Sequence, residues 1–188
     1  KSDCNIINCT GKSMLQMTNV VLENTQMEKE VYPVIYVGNQ SRLELNDVWI
    51  KENKKFSLKC WFYNCSVKIN NSNFDDCKMI VEHVDLMMKN SSVSAVNGAA
   101  IESVNSTLTL NEVTVNGCDK EKKCAAISGE NSYITTTNCI VKQDGYDAAV
   151  RMSQNSYLKS EHDQFESVLL IDSRGICIAT TINVIFQA

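Results

Sequence analysis

The chain of 188 residues holds one proline and seven glycines, which is little for a protein that must reverse direction often. Only two histidines are present. No apolar run approaches the roughly 18 residues that a membrane-spanning helix needs. Lys and Arg number 18 against 22 Asp and Glu, for a formal charge of −4. The cations form no stripe, and a nucleic-acid footprint is therefore not expected. Glycine-rich phosphate loops, Ser nucleophile elbows and Cys-x-x-Cys pairs are all missing. No basic, apolar leader is seen, and the chain opens at Lys1 without Met. The expectation is a segment of a longer polypeptide that carries other domains.

What is present is a repeat. Seven times the sequence runs apolar, any, apolar, any, polar, two residues, apolar. The first members are Leu15, Leu43, Val67, Leu86, Leu108, Ile134 and Leu158. Two residues on stand Met17, Leu45, Ile69, Met88 and Leu110, with Thr136 and Ser160 degrading the pattern late. Seven residues on stand Leu22, Ile50, Phe74, Val93, Val115, Val141 and Phe165. Successive kernels lie 28, 24, 19, 22, 26 and 24 residues apart. Length varies while the kernel persists, so the variation belongs to one loop per unit. Period-two alternation rich in Val, Ile, Leu and Thr marks strands. A further apolar segment precedes most kernels: Met79-Ile80-Val81, Ala99-Ala100-Ile101, Ala125-Ala126-Ile127 and Ala148-Ala149-Val150. Each unit thus holds about three short strands, and units this small must stack to bury their apolar sides.

Turns in this chain fall to Asn, Asp and Ser. Asn makes up about a tenth of the residues, and it tolerates positive φ better than other non-glycine types. Four residues after each first member comes a polar column: Asn19, Asp47, Asn71, Asn90, Glu112, Asn138 and His162. A sharp bend between two strands of one coil is expected there, with φ > 0 at the polar residue.

On these kernels the chain, over residues 13 to 178, resembles the right-handed parallel β-helix superfamily of pectate lyases, phage tailspikes and surface adhesins. The resemblance implies an all-β solenoid of about seven coils, three short strands each, rising about 4.8 Å per coil. Residues 1–12 would form a partial first coil or cap, and 179–188 a terminal strand or cap, of a single domain spanning 1–188. It also implies an asparagine ladder, whose amides bond from coil to coil. In such a ladder Asn71→Ala would cost roughly 1–2 kcal/mol from an unsatisfied buried partner. Glu112 and His162 depart from the amide pattern and are expected to point outward or end the ladder.

Polysaccharide-cleaving relatives in that fold imply converging carboxylates on an outer face. If Ile101, Ile127 and Val150 point inward, the neighbours Ala100 and Glu102, Ala126 and Ser128, and Ala149 and Arg151 point outward. That surface is small and nearly neutral, with Glu102 and Arg151 two coils and about 10 Å apart. Asp75-Asp76 and Asp144 with Asp147 lack the cadence of a calcium loop. His162-Asp163 reads as a polar pair in a corner, and His83 stands alone. The reading leans away from an enzyme, with no cofactor, metal or catalytic residue assigned.

Nine cysteines include the close pairs Cys4/Cys9, Cys60/Cys65 and Cys118/Cys124, with Cys77, Cys139 and Cys177 single. Kernel counting puts Cys77 and Cys118 at one register two coils apart, too far for a disulfide. Several cysteines fit a narrow core as compact apolar residues, and local disulfides belong to an extracellular setting. Six Asn-x-Ser/Thr sequons occur, at Asn8, Asn39, Asn64, Asn70, Asn90 and Asn105. Three of them sit in the turn before a kernel.

Aromatic residues gather early: Tyr32, Tyr36, Trp49, Trp61, Phe62 and Tyr63. With Cys60 and Phe62 facing the core, Trp61 and Tyr63 face outward beside Tyr36 of the preceding coil. These three are the candidate binding residues, suited to a protein hot spot or to sugar stacking. The expectation is a non-catalytic interaction or adhesion module that binds a protein partner through a lateral face. The alternative is a carbohydrate-binding or polysaccharide-processing β-helix that takes a surface glycan. An extracellular or cell-surface setting is favoured.

Overall fold

The structure is a computed structural model. It describes residues 7–22, 33–51, 58–95, 98–118, 125–144, 148–167, 169–171 and 176–187. Tyr32, Cys4, Cys124, Asp147 and most of the loop at 23–34 lie outside them. So do the side chains of Cys118 and Asp144.

All regular elements among the described residues are strands, and every strand pairing is parallel. One eight-stranded sheet stacks the segments that precede the kernels, from Ile7–Cys9 through Ile35–Gly38, Leu58–Tyr63 and Cys77–Glu82 up to Leu169–Ile171. A 14-stranded sheet stacks the kernels themselves. Two of its strands, Met14–Leu22 and Arg42–Ile50, run nine residues without a break and carry that sheet around a corner. Later kernels split there into two short strands, such as Thr107–Asn111 and Thr114–Cys118. The chain is a parallel β-helix with three faces. The tail strands Ile178–Ile182 and Ile185–Gln187 pair with Tyr157–Glu161 and Gln164–Glu166 and add a further coil.

Kernel residues stack in register. Leu43, Val67, Leu86, Leu108, Ile134 and Leu158 form one continuous column, and all are buried. Ile50, Phe74, Val93, Val115, Val141 and Phe165 form another, also buried. Each apolar group therefore meets its counterpart one rung above and below, which removes nearly all of it from water.

The polar column takes the conformation expected of it. Asn19, Asp47, Asn71, Asn90, Glu112, Asn138 and His162 all have φ between 46° and 56°. A second corner does the same at Asn64, His83, Asn105, Asn131 and Gln154, with φ between 46° and 55°. Amide bonds between coils are present: Asn90 Nδ2 donates to Asn71 Oδ1 at 3.4 Å and Asn70 Nδ2 to Asn46 Oδ1 at 2.9 Å. Asn131 donates to Asn105 at the second corner. The corner side chains are exposed, however. Positive φ swings the Cβ outward, so the expected penalty of a buried unsatisfied amide at Asn71 does not apply. Glu112 and His162 point outward as every member of the column does, and they do not end it.

A buried polar ladder is made of serines just past some of the corners, while Val48, Val84, Val113 and Cys139 take the same place on other rungs. Ser72 Oγ accepts the Val48 N–H at 3.0 Å and donates to the Asn70 carbonyl at 2.7 Å. Ser91 Oγ accepts from the Ser72 N–H at 3.1 Å. At the second corner the series runs through Ser106, Ser132 and Ser156. There Val84, Ser106 and Ser132 N–H groups donate to the hydroxyl one rung on, at 3.0, 3.3 and 3.2 Å. The corner N–H itself donates to the backbone carbonyl one rung on, as Asn71 does to Lys89 at 3.0 Å; it is the next N–H that the small hydroxyl satisfies without filling the core.

Two further expectations are corrected. Ala100, Ala126 and Ala149 are fully buried instead of facing outward. Each stands at the bend before a strand, where alternation has not begun. The Ala100 N–H donates to the Ala126 carbonyl at 2.9 Å. Cys77 and Cys118 do not share a register. Cys77 opens Cys77–Glu82 in the eight-stranded sheet, whereas Cys118 closes Thr114–Cys118 in the other. The chain crosses between faces directly after Phe74, and kernel counting misses that shortcut.

Candidate functional site

Outward positions of the eight-stranded sheet form two rows. One row runs Tyr36, Trp61, Ile80, Glu102, Ser128, Arg151. The other runs Gly38, Tyr63, Glu82, Val104, Glu130, Ser153. The early rungs are aromatic because Leu58–Tyr63 alternates Cys60 and Phe62 inward with Trp61 and Tyr63 outward. Cys60 and Phe62 are completely buried. Trp61 and Tyr63 are 38% and 37% exposed.

The three predicted residues are thus brought together. Tyr36 pairs with Trp61 across neighbouring strands, ring centroids 5.9 Å apart and planes at 83°. The Tyr36 ring lies over Gly38, where an added Cβ would stand 2.9 Å from the Tyr36 hydroxyl. Glycine is needed here for room, and it leaves the ring flat against the sheet. Tyr63 meets His83 edge-on, at 6.0 Å and 90°. Sequence reading left His83 alone; the second corner turns it onto the aromatic cluster. Lys59 and Lys78 border the cluster on one side and Glu82 on the other. Lys78 Nζ is 2.5 Å from Glu102 Oε1, so Glu102 pairs with its neighbour and not with Arg151 two rungs away.

Trp49 does not join this surface. It is 49% exposed on another face, with Lys51 Nζ 5.5 Å from its ring centre. Its strand continues unbroken around the corner, which carries Trp49 away from Tyr36.

His162 and Asp163 part company. His162 is exposed, its Nδ1 3.5 Å from Asn183 Nδ2. Asp163 turns inward and is buried, taking the serine place of the corner. Its Oδ1 accepts the Cys139 N–H at 2.7 Å, and its Oδ2 accepts the Thr136 and Ser160 hydroxyls at 2.5 Å each. The two side chains cannot act on a common substrate. Asp75 accepts from the Ser94 hydroxyl at 3.1 Å, while Asp76 is buried at a tight turn. Among the described residues no three His, Cys, Asp or Glu side chains converge as metal ligands.

An aromatic pair that sequence reading overlooked lies on the first face of the larger sheet. Tyr133 and Tyr157 are cross-strand neighbours, with centroids 5.9 Å apart and planes at 39°. Tyr133 is 61% exposed. Thr107 precedes the pair in its row, and Thr109, Thr135 and Lys159 fill the next outward row. The signal was available, since each tyrosine stands one residue before a kernel's first member.

Comparison with protein-family models, with curated proteins and with solved structures finds no match for this chain.

Proposed function

We propose that this β-helix is a non-catalytic interaction module that binds a protein partner through the face bearing Tyr36, Trp61 and Tyr63. The observation that carries this reading is the edge-on arrangement of its rings. Trp61 and Tyr63 stand beside partners at near right angles, so the surface is knobbed and rimmed by charge. Buried aromatic anchors inside a polar rim are what protein hot spots use. Substituting Trp61 by Ala should weaken a partner complex by about 2 kcal/mol or more, roughly 30-fold in Kd. The test compares wild type, Trp61→Ala and a Thr109→Ala control as baits against cell-surface extracts. A protein held by wild type and the control but released by Trp61→Ala supports the reading. Equal retention by all three baits refutes it.

A second reading has its own observation. Sugar rings stack on open aromatic faces, and the Tyr133–Tyr157 pair is the flatter of the two clusters, with hydroxyl and amine groups beside it. Carbohydrate binding is better supported there than at Trp61. Glycan-array signal lost in Tyr133→Ala and kept in Trp61→Ala would favour it.

A further inference from the structure

The repeat gives cysteine no special place, yet two cysteines meet in the core. Cys60 and Cys77 lie on successive rungs of the eight-stranded sheet, where Cys60 pairs with Met79 and Cys77 with Leu58. Both are completely buried, and their sulfurs are 3.2 Å apart. Two sulfurs that close are already inside ordinary contact distance for atoms of their size. Cys139 and Cys177 are placed differently. Cys139 Sγ points at the Leu110 and Thr137 carbonyls, 3.4 Å from each, and Cys177 Sγ at the Gln154 carbonyl, 2.8 Å away. Among the described residues, Cys60 and Cys77 make the sulfur–sulfur contact.

We propose that Cys60 and Cys77 are a modification site, closing an inter-coil disulfide when the chain folds in a glutathione-type thiol–disulfide buffer. The bond would join the rung that carries Trp61 and Tyr63 to the rung above it. The sulfurs must approach from 3.2 Å to the bonding distance of about 2.05 Å. Because Cys60 stands opposite Met79 and Cys77 opposite Leu58, the diagonal Cα spacing of about 8 Å must also shorten by roughly 1 Å to enter the disulfide range. In the first step the Cys60 thiolate attacks one sulfur of oxidised glutathione, forms the mixed disulfide and expels one glutathione thiolate. In the second the Cys77 thiolate attacks the Cys60 sulfur and expels the other glutathione. Two protein S–H bonds become one S–S bond, both protons pass to the departing glutathiones, and the glutathione disulfide takes up two electrons.

Burial sets when this happens. The Cys77 thiol is held well above its ordinary value of 9.0, first by the hydrogen bond with Cys60 and then by desolvation. A closed native coil offers no thiolate and no path for a tripeptide. Exchange belongs to the folding chain, before the coil above Cys60 has docked. Once formed, the bond is shielded by the same packing.

The site is legible by mass spectrometry. Trypsin cuts after Lys59, Lys68 and Lys78, releasing residues 60–68 and 69–78. The first peptide also contains Cys65, so the decisive protein is the Cys65→Ser variant, refolded in glutathione buffer and then alkylated. The expected result is one linked species of the two peptides, lighter than their sum by two hydrogens. It disappears on reduction and is absent from Cys60→Ser. The linked protein should also melt several degrees above its reduced form. Recovery of both peptides separately alkylated from natively folded protein overturns the proposal. So does a link that vanishes in Cys65→Ser. The same digest on protein exported to an oxidising compartment reads the pair without a refolding step.

Discussion

Asp163 offers the sharpest test of how this core is built. Its register column contains Val20, Val48, Ser72, Ser91, Val113, Cys139 and Val184, so valine fits the backbone there. In the native coil its buried carboxylate accepts from the Thr136 hydroxyl, the Ser160 hydroxyl and the Cys139 N–H. Asp163→Val removes all three acceptors at once. Each stranded buried donor costs about 1–3 kcal/mol. The relief of burying the acid side chain offsets part of that, leaving a net loss of about 3–4 kcal/mol. Thr136 and Ser160 occupy the column that elsewhere holds Leu45, Ile69, Met88 and Leu110. The triple variant Asp163→Val, Thr136→Leu, Ser160→Leu restores the apolar pattern and should recover most of the loss. The assay is urea unfolding followed by circular dichroism, with all three single variants measured for coupling. A loss under about 1 kcal/mol for Asp163→Val, or a triple variant no better than it, refutes the reasoning.

The corner column predicts a gain. Glu112 sits at φ 56° without the tolerance of Asn for that region, so Glu112→Asn should stabilise by a few tenths to about 1 kcal/mol; an unchanged or lower thermal midpoint counts against it. Ser132→Ala should cost about 1–3 kcal/mol, because its buried hydroxyl accepts from the Ser106 N–H and the Ser103 hydroxyl and donates to the Glu130 carbonyl. Alkali should weaken the fold. Burial pushes the Cys65 and Cys139 thiols from 9.0 up to about 11, so the neutral form is favoured in the folded state. Their contribution is full below pH 9 and is lost as pH rises through about 11. Melting measured across that window should fall less steeply in the Cys65→Ala, Cys139→Ala double variant.

Much of the architecture was legible in the sequence because stacking repeats the same demand on every rung. Leu43, Val67 and Leu86 had to be apolar for one reason, and three instances of a reason are readable. The corner at Asn71 was visible on the same ground, since positive φ restricts residue type. What stayed hidden depends on contacts between units. Asp163 looked like one half of a pair with His162 because sequence adjacency does not reveal a corner that sends neighbours to opposite sides. Its true partners, Thr136 and Ser160, showed only as decay of the pattern. They are a compensated exchange of apolar for polar packing. The Cys60–Cys77 contact escaped for a similar reason. The nearer Cys65 was the natural partner in sequence, while the diagonal across two strands is a property of register. Tyr36, Trp61 and Tyr63 were found because outward alternation is local. Their edge-on geometry was not, since it depends on Gly38 making room for one ring and on the corner at His83 supplying another.

Inward and outward columns are under different physical control. Inside, every residue answers to the rung above and below it, and a change such as Thr136 must be matched by Ser160 and Asp163. Outside, a side chain on a parallel sheet has neighbours but no obligatory partner. Thr107, Tyr133, Tyr157 and Ile178 succeed one another in a single outward row without disturbing the core. Apolar surface there contributes to the fold only through cross-strand contacts such as Tyr36 with Trp61 and Tyr133 with Tyr157, a small term beside core burial. The rung that carries Trp61 also holds Cys60 and Phe62 on its inner side, both completely buried. A rigid base under an exposed aromatic lowers the ordering cost on binding. The early coils thus set an exposed aromatic surface over a fully packed core that holds it still.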